Sequence, residues 1–318
     1  MDEAEQQAVM STSSDVDTLN MDIDSVNSFE GLIRLQLRVQ DGRNLLEVLR
    51  ANRLAKRVVK CCNKKPMKEG PYKRDCRFGR IWRCNACNTS KPVAEGSIFS
   101  KSHLDPFVIL KVAYAYLVLQ LNNSSVILAV ESCPSAAQLN GWLQIIRDIL
   151  SADLSREVQG LKLGGVNRTV VIDDTALEKT HSDGGTKSSG VLQILGLYDI
   201  ETKTGFAVWV DDVSFAEVMS CIVNYVTRDS RLVASERIRS ICAATADGDD
   251  SVALEQPTIS QQNSIKGYFS RLKVFLRNRA VRTQRSVASY LDEFMWRERH
   301  RYALWPDFLE AIRRQHRC

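Results

Sequence analysis

Cysteine and aspartate are the residues whose spacing in this chain could support chemistry. Trp82-Arg83-Cys84-Asn85-Ala86-Cys87 contains a C-x2-C knuckle, a spacing that lets two thiolates point at one tetrahedral zinc ion. Its partner half is irregular. Cys61 and Cys62 are adjacent, which makes binding of one ion by both awkward, and Cys76 stands alone eight residues before Cys84. The expected ligand set for a structural zinc is Cys62, with Cys61 as its substitute, Cys76, Cys84 and Cys87. The competing reading is a ribbon of reduced cysteines that holds no metal. Of the nine cysteines, five fall between positions 61 and 87, and in a reducing compartment such a local cluster points to metal rather than disulfides. Cys133, Cys221 and Cys242 are scattered and are expected as small core residues.

The second feature is Asp173-Asp174, at the end of the apolar run Arg168-Thr-Val-Val-Ile. Carboxylates at strand ends suit two-metal phosphoryl transfer, in which ions about 4 Å apart hold the attacking and leaving oxygens. That chemistry needs about three acidic ligands, so the pair alone decides nothing. His103, His181, His300 and His316 have no metal-binding spacing and are expected as ordinary surface or core residues.

Charge is segregated along the 318 residues although the net value is only +5. Residues 1–30 carry −8, 31–102 carry +13, 103–263 carry −8 and 264–318 carry +8. Two basic blocks around an acidic middle suggest a polyanion partner, because clustered Lys and Arg are the footprint of phosphate binding. Lys64, Lys65, Lys73, Arg74, Arg80 and Arg83 surround the cysteines, and Lys266, Arg271, Lys273, Arg277 and Arg279 lie opposite an apolar stripe in the second block. The plainer alternative is a solvated charged face. Apolar residues make up 44% and charged ones 25%, ordinary values that exclude a wholly disordered or collagen-like chain. No apolar run is long enough to span a membrane, and the acidic N-terminus is unlike a signal peptide. The expectation is an intracellular protein, nuclear if eukaryotic, without a membrane partner.

These residues need elements to position them. Residues 1–28 are acidic, rich in Ser and Asp, and expected to form a disordered tail able to recruit a protein partner. Two helices follow over 29–57, then a zinc-ribbon-like segment over 58–102. Residues 103–160 read as a helical domain with a helix-turn-helix outline, in which the pair within 126–150 is available to read DNA bases. From 161 to 318 the pattern runs strand, hairpin, helix, strand, helix. That order describes an α/β fold with a ribonuclease H-like mixed sheet flanked by helices, ending in basic C-terminal helices.

Several passages resemble a known family. Phe29–Arg57 with the cysteine ribbon, then Glu95-Gly96-Ser97-Ile98-Phe99-Ser100-Lys101-Ser102-His103-Leu104, resembles the opening of Merlin-type DDE transposases of the ISXO2-like class. Gly164-Gly165-Val166 with Val171-Ile172-Asp173-Asp174-Thr175 is similar to that family's first catalytic segment. Asn263-Ser264-Ile265-Lys266, Leu272-Lys273 and Tyr290-Leu291-Asp292-Glu293-Phe294-Met295-Trp296-Arg297 are similar to its later passages. The resemblance covers roughly 29–312 and implies a DNA-binding ancestor that self-associates.

The departures fall on the chemistry. By the resemblance, the first catalytic Asp is Asp173, the second falls on Ser235 and the catalytic Glu falls on Lys266. The first C-x2-C of the family is also incomplete, with Val59 or Lys64 at the missing position. Ser cannot supply the charge, and Lys266 would bring a cation to the place of the divalent ions. Mg or Mn is therefore not expected as a cofactor. The reading is a domesticated, catalytically degenerate transposase that binds double-stranded DNA as a homo-oligomer. Two alternatives stand beside it: an active nuclease using displaced carboxylates such as Glu236, Asp247, Asp249, Asp250 or Glu255, and a protein-assembly scaffold.

Overall fold

The computed structural model describes residues 22–39, 42–74, 77–100, 102–130, 132, 135–159, 162–183, 186–245, 253–277, 279 and 284–316, without the side chains of 42, 43, 178–190, 245, 284 and 285. It is a mixed α/β protein with two sheets and, among the described residues, ten helices. The chain divides into two compact units, one of Met1–Ile149 with Tyr302–Cys318 and the other of Leu150–Arg301.

The first unit opens with helices α1 (Phe29–Arg38) and α2 (Gly42–Ala51). Ser28 starts α1 by accepting the Gly31 N–H at 3.1 Å, which satisfies one of the orphan donors of a first turn. Strands β1 (Lys68–Pro71), β2 (Arg80–Arg83) and β3 (Ser90–Pro92) form an antiparallel meander in the order 1-2-3. Helix α3 (Pro106–Leu117) is buried along all twelve residues, so its near-continuous apolar sequence serves a core. Asp105 caps it through the Phe107 N–H at 2.7 Å, and Pro106 takes the first turn, where its missing N–H costs nothing. Helix α4 (Asn123–Ala129) and the start of α5 (Ala136–Val158) complete the expected helix pair.

Residues 22–28 are anchored through Ile23 and Asp24, unlike the tail expected up to residue 28. Ile23 is fully buried, its carbonyl accepts the Trp305 indole N–H at 3.0 Å, and Asp24 binds the Arg313 guanidinium at 2.7 Å. Both partners lie on α10 (Leu304–His316). Residues 302–318 therefore belong with the N-terminal half, whereas the sequence reading grouped them with the sheet domain. The other boundary falls inside α5, at 149/150, rather than at 160/161.

The second unit is built on a four-stranded sheet of β4 (Thr169–Asp183), β5 (Thr186–Asp199), β6 (Thr204–Val210) and β7 (Arg231–Ala234), in the order 6-5-4-7. The first three strands form an antiparallel meander, and β7 adds parallel to β4 after helix α6 (Phe215–Tyr225). A parallel neighbour requires a crossover of this kind. Glu255 adds an isolated parallel bridge to Val233. Helix α7 (Glu236–Thr245) packs on β4, α8 (Ile259–Arg277) on β4 and β5, and α9 (Gln284–Arg299) on β6.

Strand β4 does not stop at the two aspartates. Its ladder with β5 continues from Val170↔Asp199 to Asp183↔Thr186, beyond the last pair of β5 with β6 at Gln193↔Val210. The sheet thus extends as a two-stranded ribbon. Gly164 and Gly165, with φ of 80° and 121°, turn the chain into β4. A Cβ on Gly164 would stand 1.9 Å from Ser230 Oγ, which itself accepts the Gly165 N–H at 2.8 Å. Gly164 therefore has a packing reason, and Gly165 has a conformational one in its positive φ.

Candidate functional site

Two tight turns present the cysteines. In the first, the Cys61 N–H donates to the Lys65 carbonyl at 2.9 Å and the Lys64 N–H to the Cys61 carbonyl at 3.0 Å, with Lys64 at φ 58°. In the second, the Cys84 N–H donates to the Thr89 carbonyl and the Asn88 N–H to the Cys84 carbonyl, each at 2.9 Å, with Asn88 at φ 55°. The first turn is one residue shorter, so Lys64, with its positive φ and its bond to the first cysteine's carbonyl, is the counterpart of Asn88, and the first turn has no cysteine three positions after Cys61. Cys62 supplies the missing thiol. Its sulfur, with those of Cys61 and Cys87, lies in a group whose members are all within 4.8 Å of one another. Cys84 joins them through contacts with the Cys61 and Cys87 sulfurs. Adjacent Cys61 and Cys62 thus both face the cluster, against the expectation that one would substitute for the other. Cys76 lies outside the described residues.

The thiols differ in acidity. Hydrogen bonds from the Thr89 side chain and backbone, then from Cys84, bring Cys87 down to about 6, and Cys87 Sγ lies 3.0 Å from Thr89 Oγ1. For Cys84, the N–H groups of Ala86 and Cys87 pull downward, but the Cys87 thiol, burial and Cys61 together push it up. A thiolate formed readily at Cys87, beside three further sulfurs, is a donor set that can hold a metal.

On the sheet, register decides which groups can act together. Antiparallel partners point to one face, so Asp173 shares a face with Gly196. The Ile172↔Ala234 pair and the Ser235 N–H donated to the Ile172 carbonyl at 3.1 Å set Ser235 beside Asp173 on that face. Helix α8 covers it closely: a Cβ on Gly196 would come within 2.5 Å of the Phe269 ring. Lys266 stands one turn before Phe269 on α8, and its side chain is exposed. Ser235 Oγ is buried with no hydrogen-bond partner among the described residues.

Asp174 points to the other face, because successive strand residues alternate. There it meets Arg237 of α7 at 2.6 Å. Burial pushes its pKa above the usual range, Arg237 opposes this, and the neighbouring Asp173 charge adds to it. Asp173 and Asp174 therefore cannot converge on one ion. Glu255 is engaged with Arg231, and Asp247, Asp249 and Asp250 lie outside the described residues. Among the described residues, no group of three ligands close enough for a metal includes Asp173.

The basic residues fall into two sets. Lys64, Lys65, Lys73, Arg74 and Arg83 around the knuckles are exposed, as are Lys266, Lys273 and Arg277 of α8. Arg80 pairs with Glu69, Arg271 with Glu298 at 2.7 Å, and Arg279 with Glu293 at 3.3 Å while lying over the Phe275 ring. The helix pair of α4 and α5 is different. The two basic residues between 103 and 150, Lys111 and Arg147, are both buried, and Leu128 is 88% exposed.

Sequence reading missed one constellation. Asp153, Glu157 and His300 bring three ligand atoms within 4.8 Å of one another, although no spacing among the histidines pointed to it. The available signal was an acid pair four apart on α5, which one helix face presents together. Cys221 and Cys242 are buried, as expected of small core residues, and burial raises the Cys221 thiol to about 11. Cys133 and the His181 side chain lie outside the described residues. No helix among the described residues is long and apolar enough to cross a membrane. Scans of family models, curated proteins and solved structures return no match to this chain.

Proposed function

We propose that this is a DNA-binding protein built on a DDE-transposase-like, ribonuclease H-like scaffold that has lost metal-dependent strand cleavage. The sheet order 6-5-4-7, three antiparallel strands and a parallel fourth, supports the scaffold reading. The observation that carries the loss of catalysis is Ser235 beside Asp173 on the face under α8. A hydroxyl there leaves one carboxylate where two-metal chemistry needs several. The turn-held cysteines support a structural zinc. Sulfurs bound to one zinc lie about 3.8 Å apart, from bonds of about 2.3 Å, so those of Cys61, Cys62 and Cys87, all within 4.8 Å of one another, need only a small contraction.

Binding in this reading is phosphate neutralisation by the exposed Lys and Arg around the knuckles and on α8. The helix pair within 126–150 is not the main contact, because its one basic residue, Arg147, is buried. The test is affinity for random duplex DNA across a salt series with zinc-loaded protein. The expected result is a log–log slope of about −0.9 for each phosphate contacted, with no nicking in Mg or Mn. Salt-independent binding overturns the DNA reading, and nicking that vanishes in Asp173→Ala overturns the loss of catalysis.

A second reading, protein assembly, is favoured by the exposed apolar residues Leu119, Ile127, Leu128 and Ile145 of the first unit. It predicts an oligomer that survives both DNA and moderate salt and dissociates in Leu128→Glu.

A further inference from the structure

We propose that Asp153, Glu157 and His300 form a second metal site, for a first-row dication of the manganese or zinc type. Asp153 and Glu157 lie one turn apart on α5, and His300 directly follows α9. One oxygen or nitrogen from each lies within 4.8 Å of the others. His300 Nε2 is 3.1 Å from Glu157 Oε1, close to the separation of two donors that share an ion with bonds of about 2.1 Å. The site is shielded. Asp153 is fully buried, and the side chains of Glu157 and His300 are 20% and 14% exposed.

The surroundings hold the ligands in position. The Trp296 indole N–H donates to Asp153 Oδ2 at 3.1 Å, the kind of outer hydrogen bond that orients a ligating carboxylate. The same indole stacks on the His300 ring, with centroids 4.3 Å apart and planes at 26°. One side chain thus fixes two of the three ligands, from a helix other than the one that carries the acids. Arg299 interacts electrostatically with Glu157, so a bound ion would share that carboxylate with a neighbouring guanidinium. Mixed imidazole and carboxylate donors suit manganese or zinc better than magnesium or calcium, which prefer oxygen alone. Three protein ligands leave at least one position for water. The ion would clasp the end of α5 to the end of α9 within the second unit.

Manganese distinguishes this site from the thiolate cluster. The experiment titrates Mn2+ into full-length Asp173→Asn protein given a single equivalent of zinc, which the thiolates take in preference to mixed imidazole and carboxylate donors; this background removes the sheet carboxylate, and bound Mn2+ is counted by electron paramagnetic resonance. One bound equivalent is expected. It should weaken at least ten-fold in Glu157→Gln, which keeps the side chain's shape, and in His300→Ala. Trp296→Phe keeps an aromatic ring but loses the donor, and should weaken binding about ten-fold. Cys84→Ser should leave Mn2+ binding unchanged. Absence of bound Mn2+ in the background protein, or unchanged affinity in folded Glu157→Gln, overturns the proposal.

Discussion

Gly196 and Cys87 each have a property imposed by what touches them. Gly196 has no side chain because the Phe269 ring fills the space where a Cβ would stand, 2.5 Å from two ring carbons. Gly196→Ala should destabilise the second unit by about 1–3 kcal/mol, the usual cost of overpacking, measured by urea unfolding. Phe269→Leu in the same chain should recover part of the loss. Cys87 is depressed to about 6 by Thr89, so its thiolate persists above that pH and is lost as pH falls through it. Iodoacetamide labelling of Cys87 in metal-free protein should reach half its maximal rate near pH 6 rather than near about 8.5. Zinc should block the reaction.

At the scale of elements, β4 is a divider. Its alternation sends Asp173 toward α8 and Asp174 toward Arg237 of α7, so the Asp-Asp pair serves two surfaces rather than one ion. Because the Asp174 carboxyl is raised by burial, with Arg237 acting against the shift, its contribution to stability is full below about pH 4, the unfolded value. That contribution falls as pH rises through the folded value. Asp174→Asn should remove this slope from urea unfolding measured between pH 4 and 7. Arg237→Ala should steepen it, since the opposing charge is gone.

Across the whole molecule, the charge blocks become fewer available cations than the sequence counts. Arg80, Arg271 and Arg279 are held by Glu69, Glu298 and Glu293, whereas Lys273 and Arg277 are exposed on α8. Under the DNA-binding proposal, Lys273→Ala with Arg277→Ala should reduce the salt slope by about 1.8, from two lost phosphate contacts. A charge-reversing change at Glu298 should free Arg271 and increase affinity in the same assay.

The elements were largely legible from local pattern. Alternating and helical periodicities marked the hairpin, α3, α6 and the apolar stripe of α8, because burial of one face demands those periods. The C-x2-C knuckle was legible for the same reason of short range. Only the folded chain determined that Cys61 and Cys62 both face Cys87 and that β4 runs on to residue 183. It also put residues 22–28 and 302–318 together in one unit. Composition cannot tell a paired arginine from a free one, and no spacing in one segment reports a partner from another. His300 meets Glu157 across 143 positions through helix packing, and only tertiary structure sets such contacts.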